Sequence, residues 1–70
     1  MNKVEFQYEL NRQGLNVEKV AGLIGMPTTS LYKRIAGKVA FKQNEIVSIS
    51  KVLHLSGERI LEIFFSSQVS

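Results

Sequence analysis

The chain has 70 residues, a net charge of +3, 44% apolar and 21% charged residues, no cysteine and one histidine. A chain this short holds one domain and buries only about 60% of the surface its unfolded form exposes, which leaves little room for a catalytic pocket. The composition excludes a disulfide framework and a thiolate metal site, and no run of about 18 apolar residues occurs, so a soluble, cytoplasmic protein without metal or cofactor is expected.

Polar caps, glycines and one proline punctuate the chain into helices. A first helix is expected from Asn2 as N-cap, with Glu5 three residues on to return a hydrogen bond, running to Gln13 and stopped by Gly14. Phe6 and Leu10 share one face of it, and Val4 and Tyr8 complete its apolar content. Asn16 suits the N-cap of a second helix whose apolar set is Val20, Leu23 and Ile24, and Gly25 ends it where a left-handed residue is needed. Pro27 favours a helix start, so a third helix begins at Pro27 or Thr28 and stops near Gly37. It carries Leu31 and Ile35 on one face and leaves Thr28, Thr29, Tyr32 and Lys33 on others. Beyond a connection from Lys38 to Phe41, a fourth helix holds Ile46, Ile49, Val52 and Leu53. A fifth opens near Ser56 or Gly57 and holds Ile60, Leu61 and Phe64. The expectation is an all-α domain over residues 1–65 and a frayed tail over residues 66–70.

Two short helices joined at a glycine occupy Asn16 to Lys38. Ala21 is small where steeply crossing helices approach, Gly25 turns the chain, and Leu31 plugs the second helix against Val20, Ile24 and Met26 of the first and the turn. The same region holds the positive charge. Between Lys19 and Asn44 lie Lys19, Lys33, Arg34, Lys38 and Lys42 with no acid, while all six acids fall at or before Glu18 or from Glu45 onward. A basic stripe of this kind is expected where one face meets phosphates, although a solvated basic surface has the same composition.

The segment GLNVEKVAGLIGMPTTSLYKRIAGK resembles the two central helices of the Cro and phage-repressor class of helix-turn-helix proteins, the XRE family. FKQNEIVSISKVLHLSGERILEIFF is similar to the closing helices of small phage and prophage regulators of Gram-positive bacteria, which share the L-x-L-S/T step and the Ile-Phe-Phe ending. The resemblance implies a compact five-helix, lambda-repressor-like domain that binds operator DNA, most simply as a repressor in a bacterial cell or phage-infected host. It implies base contacts from Thr28, Thr29, Tyr32 and Lys33, at the N-terminal part of a helix that enters the major groove. It implies phosphate contacts from Asn16 and Val17, where a helix start exposes its amides, and from Arg34, Lys38 and Lys42. Val17 and Ala36 stand where many relatives have glutamine and asparagine, so two polar contacts common in the family have no counterpart here.

Helix-turn-helix proteins usually bind paired half-sites as dimers. Ile63, Phe64 and Phe65 cannot all face one small core, so Phe65 is expected at a C-terminal homodimer contact formed at least on DNA. No enzymatic role is expected: His54 stands alone between Leu53 and Leu55, as a packed or half-exposed side chain, and Glu58 and Glu62 read as a solvated edge. The alternative is a protein-interaction module, an antirepressor or adaptor, on the same fold. With no room for an effector domain, control by abundance or by a protein partner is expected.

Overall fold

Short polar residues and left-handed turns set the helix ends, and a computed structural model describing residues 1–65 places five helices between them. These are α1 (Lys3–Arg12), α2 (Val17–Ile24), α3 (Thr28–Ile35), α4 (Gln43–Val52) and α5 (Gly57–Ile60), the last continuing as a π-helical segment, Leu61–Phe65. The fold is all-α, and the expected tail over residues 66–70 lies outside the described residues.

Three helices start from side-chain caps, each of which satisfies an N–H that a first turn leaves unpaired. Asn2 Oδ1 accepts from the Glu5 N–H at 3.2 Å, Asn16 Oδ1 from the Lys19 N–H at 2.8 Å, and Ser56 Oγ from the Arg59 N–H at 3.1 Å. The return bond expected from Glu5 is not made, because its carboxylate lies 2.9 Å from Arg59 Nη1 instead. Lys42, at the head of α4, has no side-chain acceptor; there Glu45 Oε1 accepts from the Lys42 N–H at 2.8 Å.

Gly25 closes α2 at φ 73°, so that the Met26 N–H reaches back to the Ala21 carbonyl at 2.9 Å. This is the left-handed stop that glycine takes without a Cβ clash. The end of α4 uses the same geometry with a histidine: His54 has φ 54°, and the Leu55 N–H meets the Ser50 carbonyl at 2.9 Å. His54 is exposed rather than packed, which corrects the expectation from its apolar neighbours. A helix terminus turns its side chain outward while Leu53 goes inward.

Nine side chains form the core: Phe6, Leu10, Val17, Val20, Ala21, Leu31, Ile49, Leu53 and Ile63. Each large apolar side chain removed from water contributes about 1.5–3 kcal/mol. α2 is central, packing on both α3 and α4, while α1 packs on the π-helical segment. The closing segment is further tied down by a 2.7 Å bond from the Asn2 N–H to the Ile63 carbonyl, and by Phe64, which meets Phe6 and Phe41 edge-on. Several apolar assignments change. Val4, Tyr8, Leu23 and Leu61 are exposed, and Ile63 takes the core position expected of Leu61.

One buried acid joins the ends of the chain. Glu9 is 4% exposed and accepts from Arg12 Nη2 at 2.7 Å and from Arg59 Nε at 3.0 Å. Arg59 also bonds Glu62 at 2.7 Å. Hydrogen bonding from Arg12 outweighs burial and, with help from Arg59, holds the Glu9 carboxyl below its ordinary range.

Candidate nucleic-acid interface

Leu31 is fully buried against α2, and this fixes which side of α3 looks outward. One hundred degrees of rotation per residue then sets Thr29 and Lys33 opposite Leu31 and Tyr32 on the flank beside them, and all three are exposed, Tyr32 by 55%. Thr28 is half-buried at the edge of this face, at the open N-terminal end of the helix. No side chain caps that end: Pro27 precedes Thr28, and only its carbonyl enters the ladder, accepting from Ser30 and Leu31. The outward face therefore combines two threonines, each with a hydroxyl and a methyl, a phenol and an ammonium, without an acid among them. Such groups suit base edges and sugar–phosphate alike.

The residues expected at phosphates separate into two groups. Asn16, Lys38 and Lys42 are exposed, and Asn16 spends only its carbonyl oxygen on the cap. Val17 is 8% exposed and belongs to the core, so its side chain is not available to an anion and only its first-turn amide could serve. Arg34 is not a displayed cation either. Its Nε lies 2.9 Å from Glu45 Oε1, its Nη1 bonds the Ser30 carbonyl at 3.1 Å, and its side chain is 15% exposed. Glu45 lies outside the acid-free stretch, but the connection from α3 to α4 brings it back onto Arg34. Burial opposes ionisation of Glu45, yet the Lys42 N–H and Arg34 together hold its carboxyl below the ordinary range.

A second acid stands beside the interface. Glu18 is exposed in the first turn of α2, where it suits the helix dipole but puts a negative charge in the turn whose amides are expected to meet a phosphate. Phe65 is 60% exposed and lines an apolar groove of about 920 Å³ together with Phe41, Ile46, Val47, Leu55 and Ile60. Among the described residues no group of three or more His, Asp or Glu side chains converges as metal ligands would, and no helix is long and apolar enough to cross a membrane. Comparison of the chain with family models, with curated proteins and with solved structures returns no match.

Proposed function

We propose that the chain is a sequence-specific DNA-binding transcriptional regulator of the Cro and phage-repressor (XRE) class, with a lambda-repressor-like arrangement of its helices. It works as a repressor in the cytoplasm and reads the major groove with α3. The observation that carries this function is the outward face of α3, where Thr29, Tyr32 and Lys33 are exposed with no acid among them on a helix seated by Leu31. Thr28 contributes from the edge of that face. Asn16, the Val17 amide, Lys38 and Lys42 meet phosphates. Paired half-sites recruit two copies, and Phe65 lies at the contact between them.

Selection of bound duplexes from a random DNA pool tests the proposal. A defined motif is expected, and Lys33→Ala should weaken binding to it by about 1–3 kcal/mol while relaxing preference at one position. A pool that returns no motif would rule out sequence-specific reading. The second reading, an interaction module that does not touch DNA, has the apolar groove in its favour. Such a module would keep its partner when Lys33 is replaced and lose it when Phe65 is.

A further inference from the structure

α3 is a short helix whose apolar footing is small: Leu31 is its one fully buried side chain, and Ile35, half-buried, packs against the core one turn later. Among the described residues, the bond from Arg34 Nε to Glu45 Oε1 is the one side-chain hydrogen bond that joins α3 to another helix. The same Glu45 oxygen accepts from the Lys42 N–H, at the head of α4. One carboxylate oxygen thus holds the last turn of α3 and the first residue before α4, while Arg34 Nη1 binds back to the Ser30 carbonyl and stiffens its own helix. The pair is largely covered, with side-chain exposures of 15% and 14%. Covered ion pairs of this kind seldom add net stability over an apolar pair, because desolvation offsets the attraction. What they supply is direction, since charged hydrogen bonds fix angles that apolar contacts do not.

We infer that Glu45 is a positioning residue for DNA recognition: by clasping Arg34 and the Lys42 amide it sets the α3 reading face and the backbone that carries Lys42 in one fixed relation. The inference rests on the DNA-binding function proposed above and deepens it. Its consequence runs against simple electrostatics. Removing an acid beside a DNA-binding face should strengthen binding if charge alone matters, and it would free Arg34 for a phosphate. If Glu45 positions, the same change weakens specific binding.

Glu45→Gln is therefore the deciding variant, with Glu58→Gln as a control that makes the same charge change at an exposed site on α5. Affinities are measured by anisotropy for the selected duplex and for a random-sequence duplex of equal length, with thermal melts alongside. Glu45→Gln should bind the selected duplex roughly tenfold more weakly, the size of one lost base contact, and the random duplex as well as or better than wild type. Glu58→Gln should lose nothing on either. Should Glu45→Gln melt too low to assay, Glu45→Asp and Arg34→Lys keep every charge while spoiling the clasp, and the same selective loss is expected of them. Equal or tighter binding of the selected duplex by the folded variants overturns the positioning role and leaves the DNA-binding function intact. Wild type that prefers no duplex removes both.

Discussion

Glu9 is the residue whose chemistry reaches furthest, since its carboxylate bonds one arginine from its own helix and another fifty positions away. Replacing it with glutamine keeps the shape but removes the charge that Arg12 and Arg59 Nε share, leaving Arg59 to Glu5 and Glu62 alone, at a cost of about 2 kcal/mol. Both Glu9 and Glu45 are held below the ordinary carboxylate value of 4.5 in the fold. Their stabilising contribution is thus complete above that value and is lost as pH falls through the lower, folded-state values. Melts between neutral pH and about pH 3 should show that loss, and Glu9→Gln should be less stable at neutral pH with a shallower acid decline; an unchanged acid profile would show that Glu9 is not coupled to folding. His54 offers the opposite case. Its left-handed backbone strains any residue with a Cβ, and the glycine that relieves this has more freedom to lose, so His54→Gly should gain about 0.5–1 kcal/mol. A melting temperature several degrees higher is the expected readout, and a lower one would show that the imidazole contributes a contact.

At the scale of elements, local signals were legible and distant pairings were not. The caps Asn2, Asn16 and Ser56 and the stop at Gly25 each act within one turn, so their residue types disclose them, and the helix boundaries they set are those observed. The inward face of α3 was equally readable from Leu31 and Ile35. The roles of Arg34 and Val17 were not. Arg34 is one of five cations in an acid-free stretch, and only the folded connection to α4 reveals that Glu45 neutralises it. Val17 occupies a first-turn position that exposes its amide, while its side chain turns under α2 into the core. The Leu61 to Phe65 run offered several apolar candidates in succession, and periodicity alone could not choose Ile63 over Leu61. The Arg59 hub escaped for the reason Arg34 did: its partners Glu5 and Glu9 belong to a helix at the other end of the chain.

For the whole molecule, the distribution of exposed charge and of exposed apolar surface governs what it meets. Lys19, Lys33, Lys38 and Lys42 remain exposed once Arg34 is paired, so the basic region is smaller than its composition suggests. The proposed second copy would cover the apolar groove beside Phe65. Phe65→Ala should leave the fold intact, since the side chain is 60% exposed, but reduce cooperative filling of paired half-sites. Sedimentation with and without a two-site duplex checks this, and identical stoichiometry and affinity for both proteins would exclude Phe65 from the contact. The most direct test of the proposed DNA-binding function is the affinity of the wild-type chain for its selected duplex across a salt series. Lysines at phosphates release counterions, so affinity should fall roughly 100-fold or more between about 50 and 200 mM salt, linearly in log–log form. Binding that ignores salt, or that is absent even at the lowest salt, would contradict the account.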